Sequence, residues 1–263
     1  MNDLLAELIP RDFLPWVVAI ALNTLLATIA WIAPKKLLTS AGLAHAWFLG
    51  VMIWGTLGWQ GYGIIMVYFL AGSAVTRVGM KEKEAAGIAE KRSGARGPEN
   101  VWGSALVGTL CAIAIFMLSM TTVPAASSWI AALWLGYVAS LSTKLSDTSA
   151  SEIGKAYGQR TFLITTLKPV PRGTEGAVSL EGTLAGIVAS VAIALVGWLV
   201  GVMSPVGIGI CVLAAFVATN LESVIGATLQ EQIDWLTNEI VNIINTLIGA
   251  SVAVGLFILG QAL

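Results

Sequence analysis

Apolar runs of about twenty residues recur along the whole chain, and most of its charges fall between them. A helix of roughly 20 apolar residues crosses the hydrocarbon layer of a bilayer. Inside lipid the backbone must satisfy its own hydrogen bonds, which a helix does. Composition points the same way, with 57% hydrophobic residues, 11% charged residues and a mean hydropathy of +0.84. Soluble domains carry roughly 25% charged residues. The chain therefore reads as an all-α, polytopic transmembrane helix bundle.

About eight spans are expected, within a range of seven to nine. They cover residues 13–33, 38–57, 61–78, 101–121, 127–145, 183–203, 205–228 and 239–262. No loop is long enough to bury a core of its own, so residues 1–263 are read as a single integral membrane domain. Lys35, Lys36, the six Lys and Arg of 77–100 and the five of 144–181 all fall on one side of such a bundle. By the positive-inside rule that side is cytoplasmic, which places the polar loops, and any active site they build, at the cytoplasmic surface. The opening MNDLLAELIPRDF lacks a basic stretch and a small-residue cleavage site, so no removable signal peptide is expected.

Several classes are disfavoured. A net charge of -1 argues against a nucleic-acid partner. Cys111 and Cys211 sit in apolar runs with no ligand pattern, as buried structural thiols do. The motifs of P-loop kinases, zinc peptidases and serine lipases are missing. His45, the single histidine, lies among Ala and Trp and reads as a packing residue.

Against this apolar background, the segment from Lys144 to Glu181 is dense in charge, hydroxyls and glycine. Polar groups at the edge of a membrane are costly unless they bind something. If the fifth span continues as a helix, Lys144, Asp147, Ser151 and Lys155 share one face at about 100° per residue, with Glu152 about 140° from Asp147. Such a face either pairs its own charges or binds phosphate and a divalent metal, with Asp147 and Glu152 as hard oxygen ligands and Lys144 and Lys155 on phosphate oxygens. Lys168 and Arg172, in the proline-stiffened TLKPVPRGTEG, fit an anion clamp, as do Lys91, Arg92 and Arg96 around SGARG. The charged stretch from Lys81 to Glu90 reads instead as a solvated surface helix. Asn238, Asn242 and Asn245 form a polar stripe with Gly249 in the last span, either bonding between helices or lining a headgroup site. Glu222 is an ionisable group within the seventh span, a functional candidate by position alone. Asn220 lies about 200° from it around the helix, so the two would share a site only through a bend.

SDTSASEIGKAYG, TFLITTLKPVPRGTEGAVSLEGTLAG, TNLESVIGATLQ, DWLTNEIVNIINTLIGA and GIAEKRSGARGPENVW together resemble the integral-membrane phytyl-phosphate kinases. The resemblance runs from the first span to the C-terminus; more distantly the chain is similar to dolichol kinase and to CDP-diacylglycerol synthase. It implies phosphoryl transfer from a nucleoside triphosphate, CTP in expectation, to phytyl monophosphate, giving phytyl diphosphate for tocopherol and phylloquinone synthesis. Mg²⁺ would be held by Asp147, Glu152 and Glu222, with Asp147, Glu152 and Lys155 catalytic. Lys144, Ser151, Lys168, Arg172, Arg92 and Arg96 would bind phosphates or nucleotide, and Glu222, Asn238, Asn242 and Asn245 the lipid headgroup. Partners would be phytyl phosphate and the lipid bilayer, in the plasma or thylakoid membrane of a photosynthetic cell, with a homo-oligomer left open. A lipid cytidylyltransferase is the neighbouring enzymatic reading, and a membrane transporter the non-enzymatic one.

Overall fold

The computed structural model describes residues 13–90, 94–230 and 232–262. Arg92 and the opening segment, on which the signal-peptide reading rests, lie outside the described residues. The chain forms α1 (Leu14–Ile32), α2 (Ser40–Val75), the short α3 (Met80–Ala85), α4 (Pro98–Ser119) and α5 (Ala126–Tyr157). Strands β1 (Thr161–Leu163) and β2 (Ala177–Ser179) follow, then α6 (Leu180–Leu199), α7 (Pro205–Thr228) and α8 (Asn238–Ala262). The strands pair antiparallel, Phe162 opposite Val178, and among the described residues this two-stranded hairpin is the one departure from an all-α fold.

Six helices are long and apolar enough to cross a membrane, and the difference from the expected eight has a structural cause. Helix α2 is a hairpin. Gly58 sits at φ 66, ψ -159, a region that essentially only glycine enters. The rings of Trp54 and Tyr62 lie 5.2 Å apart, whereas eight residues of straight helix would separate them by about 12 Å. Both arms meet the same buried residue of α1. Tyr62 donates to Asn23 Oδ1 at 2.9 Å, and a Cβ on Gly50 would stand 2.0 Å from that oxygen. The far end returns to the near one, where Arg77 donates to the Lys36 carbonyl at 3.2 Å. Helix α2 therefore crosses twice. Helix α5 supplies the remaining span, its apolar first half running without a break into the charged half.

That path brings the described segments 33–39, 76–90, 94–97, 158–179, 229–230 and 232–237 to one end of the bundle, as the charge pattern predicts. Helix α5 runs through the middle, touching α2, α3, α4, α6, α7, α8 and β2. Lipid gives helices no hydrophobic reason to associate, so close approach of small residues must do it. On α6, a Cβ on Gly182 would meet the Ala150 carbonyl oxygen at 2.5 Å, and one on Gly186 the Ser146 hydroxyl at 2.9 Å. From α7, Cys211, Ala214, Ala215 and Ala218 are fully buried, and from α8 Gly249 seats against Thr143. Cys111 and Cys211 are both buried and free, and His45 accepts from Trp102 Nε1 at 2.9 Å, so these three are packing residues, as expected.

Gly182→Ala drives a methyl into backbone and should cost about 1–3 kcal/mol of stability. Gly255→Ala, whose Cβ meets nothing within 4 Å, should be neutral or stabilising by up to about 1 kcal/mol. Thermal denaturation of the two variants in detergent checks the contrast.

Candidate functional site

The charged end of the bundle holds a cavity of about 410 Å³. Its walls come from α4, α5, α6, α7 and α8, from residues 94–96 before α4, and from the hairpin between α5 and α6. At its base, Lys144 Nζ donates to Asp147 Oδ2 at 2.5 Å and to Asn242 Oδ1 at 2.7 Å. Lys144 and Asp147 are only 7% and 6% exposed. Glu222 of α7 lines the same cavity and stands within electrostatic reach of Asp147 and Lys144. Three helices thus converge on two carboxylates and one ammonium.

Arg96 lies on the opposite wall. Its backbone is fixed by bonds to Leu37 and Thr39, both at 3.0 Å, and Gly42 leaves room for its carbonyl, which a Cβ would meet at 2.4 Å. The guanidinium donates to the Tyr68 hydroxyl at 3.1 Å and stands over that ring. Tyr68 is buried and also senses Lys144, so it joins the two cationic groups. No motif in the sequence singles out this tyrosine.

The hairpin roofs the cavity with its 173–179 turn, Glu175 included, and not with Lys168 or Arg172. Residues 173–179 line it, and Gly173 and Gly176 turn there at φ 86 and φ 74. Gly176 is pressed against α7, where a Cβ would meet the Ser223 carbonyl oxygen at 2.6 Å. Ser179 caps α6 by accepting from Gly182 N at 3.1 Å.

The candidate residues separate accordingly. Lys144, Asp147, Ser151, Glu152, Lys155, Arg96, Glu222, Asn238 and Asn242 all line this one cavity. Arg172 does not line it: its guanidinium donates to the Ala156 carbonyl at 2.9 Å and closes the last turn of α5. Lys168 is exposed near the hairpin tip, also away from the lining. Asn245 is fully buried one turn beyond Asn242, outside the cavity, and neither polar atom of its amide finds a partner among the described residues. Asn220 and Glu222 both reach the cavity without a bend. The cavity wraps about 160° of α7, with Glu222 at one edge and Asn220 at the other.

Two expectations fail on the same contact. Lys83, on the stretch read as solvated, is fully buried. It donates to Glu152 Oε2 and, at 2.8 Å, to the Thr76 carbonyl. Glu152 is thereby committed to an ion pair toward α3, while Asp147 faces α7 and α8. The structure does not join Glu152 to the Asp147–Glu222 pair as a third acidic ligand. Among the described residues, no three His, Cys, Asp or Glu side chains are gathered as a metal cage. Asp147 and Glu222 nevertheless fit Mg²⁺, which commonly takes one or two carboxylates and fills its remaining positions with water and substrate phosphates.

The fold and cavity define a multi-pass integral membrane protein with a polar site at one membrane surface. The family model described as integral membrane protein DUF92 matches residues 23–250, and the chain belongs to that family. It is 62% identical over 256 residues to "Uncharacterized membrane protein sll0875" of Synechocystis, covering 97% of this chain and 96% of that protein. It is 45% identical to "Protein VTE6, chloroplastic" of Arabidopsis thaliana, over 91% of this chain and 71% of that one. "Uncharacterized membrane protein MJ0933" of Methanocaldococcus jannaschii is 32% identical over 85% of this chain and 87% of its own. No solved structure matches the chain.

Lys83→Met leaves the Glu152 carboxylate buried without its cation, and should cost about 3–5 kcal/mol. Pairing it with Glu152→Met should recover most of that loss. Detergent melts of the single and double variants test whether the contact is a buried ion pair.

Proposed function

We propose that the protein transfers a phosphoryl group from a nucleoside triphosphate, CTP first, to phytyl monophosphate, giving phytyl diphosphate. One observation carries this reading: a buried Lys144–Asp147 pair, with half-buried Glu222 and Asn242 beside it, at the base of a polar cavity at the membrane surface. The resemblance to phytyl-phosphate kinases supplies the substrate. Similarity to a chloroplast protein of a plant and to a cyanobacterial membrane protein supports a place in tocopherol and phylloquinone synthesis, in a plasma or thylakoid membrane.

The cavity's charges suit such a reaction. Glu90, Asp147, Glu152, Glu175, Glu222 and Glu239 line it, against Arg96, Lys144 and Lys155. Glu152 is already paired with Lys83, but Asp147 and Glu222 converge at the base, where they would repel bare phosphate and favour phosphate accompanied by a divalent cation. Mg²⁺ held by Asp147 and Glu222 would neutralise phosphate charge as it develops. Lys144, kept in place by Asp147 and Asn242, presents its ammonium to a phosphate oxygen at the base. Arg96 and Lys155 also line the cavity and would hold further phosphate oxygens. The acceptor needs no general base, because a phosphate monoester with a second pKa of about 6 is already largely ionised at neutral pH. What remains is positioning and charge cancellation, which is how phosphoryl transfer is mostly catalysed.

Asp147→Asn should lower turnover at least a hundredfold, compared at equal amounts of folded protein below the variant's melting temperature, because leaving Lys144 buried without its carboxylate also lowers stability. Purified protein is assayed with phytyl phosphate, Mg²⁺ and each nucleoside triphosphate; near-normal activity of the variant removes Asp147 from the metal role. CTP labelled at the α or γ phosphate separates the two enzymatic readings. γ-Label in the lipid product supports the kinase, and α-label with release of pyrophosphate supports a cytidylyltransferase. No lipid product with any nucleotide leaves binding or transport.

A further inference from the structure

Most of the cavity lining is polar or small, but Ile187 of α6 and Phe216 of α7 are large and apolar. Phe216 lines the cavity, is 44% exposed, and sits about 60° around α7 from Leu213, which is 50% exposed. It lies twelve residues before the end of α7 at Thr228, about 18 Å down the helix from the charged end. The cavity therefore reaches the hydrocarbon layer along this seam.

The packing of the two helices explains the gap. Each is drawn onto α5 by small residues, and those faces do not point at one another. On α6, Thr183 and Ile187 sit roughly 100–140° around from Gly182. That places them between the glycine face on α5 and the exposed face of Leu184, Val188 and Leu195. On α7, Phe216 and Asn220 occupy the matching edge, beside exposed Leu213 and Leu221.

We propose that the α6–α7 seam is a lateral port occupied by the hydrocarbon chain of a single-chain phospholipid monoester, whose phosphate sits at Lys144 and Asn242. The proposal rests on the lipid-phosphate reading of the site and adds the path of the chain. A headgroup at the base of the cavity is enclosed by α4, α5 and α8, whereas its chain needs apolar walls and an exit to lipid. Ile187 and Phe216 provide both.

The test uses the full-length protein in nanodiscs with a C20 isoprenyl monophosphate carrying a diazirine midway along its chain. After irradiation, label displaced by excess unmodified isoprenyl phosphate should map to peptides holding residues 183–188 and 213–221. Ile187→Trp should cut that labelling at least fivefold and raise the KM for the lipid at least fivefold, with the nucleotide KM changed less than twofold. Displaceable label on another face, unaffected by Ile187→Trp, overturns the port and leaves the lipid-phosphate reading standing. No displaceable label anywhere overturns that reading, and the port with it.

Discussion

The ion pair between Lys144 and Asp147 is the interaction on which the architecture depends. Both groups belong to α5, the helix the others surround, and both are almost fully buried. Removing two charges from water costs several kcal/mol per ion, and their attraction repays it only when further hydrogen bonds are in place. Here Asn242 accepts a second bond from Lys144, and Glu222 adds a second carboxyl beside Asp147. Well-packed apolar residues are often as stable as a buried ion pair, or more so. Stability alone therefore gives no reason to place these charges there, and a ligand does.

The packing that satisfies the charges is also what builds the cavity. Gly182 and Gly186 let α6 lie against the polar half of α5, and Gly249 does the same for α8 beneath Asn242 and Asn245. Larger residues at these positions would push apart the helices that carry the pair and its partners. Close approach on one side leaves the α6–α7 edge poorly filled on the other, so the seam and the buried pair share one origin. The hairpin between α5 and α6 closes the top, held by Arg172 on the last turn of α5 and by Gly176 on α7.

Features set by local sequence were legible in advance. Apolar runs marked the spans, and the break between 38–57 and 61–78 falls at the reversal that Gly58 performs. Charge bias placed the polar loops at one end, and periodicity along α5 put Lys144, Asp147, Ser151 and Lys155 on the face that lines the cavity. What escaped depends on partners remote in the chain. MKEKEA has the alternating charges of a solvated helix, and nothing near it shows that Lys83 finds Glu152, 69 residues away. Arg172 looked like a phosphate clamp because prolines and glycines flank it, yet the nearest acceptor was the carbonyl of Ala156. Asn220 and Glu222 seemed incompatible only if the site were a point; it is a trough that wraps the helix.

The charge balance of that trough bears on how two anionic substrates could share it. A pocket built for phosphate alone would carry an excess of Lys and Arg, and such a pocket holds its ligand by direct pairing. Among this cavity's described carboxylates Glu152 is already paired with Lys83, whereas Asp147 and Glu222 converge at the base, so an isolated phosphate would gain little there. On the proposed reading, a phosphate that brings a divalent ion would reverse the sign of the interaction at Asp147 and Glu222 while keeping contacts to Lys144, Lys155 and Arg96. Two converging carboxylates would leave an incomplete coordination sphere for water and phosphate oxygens to complete. Such an arrangement would favour a metal-bound nucleotide over free phosphate through charge alone, before any contact to the base is considered.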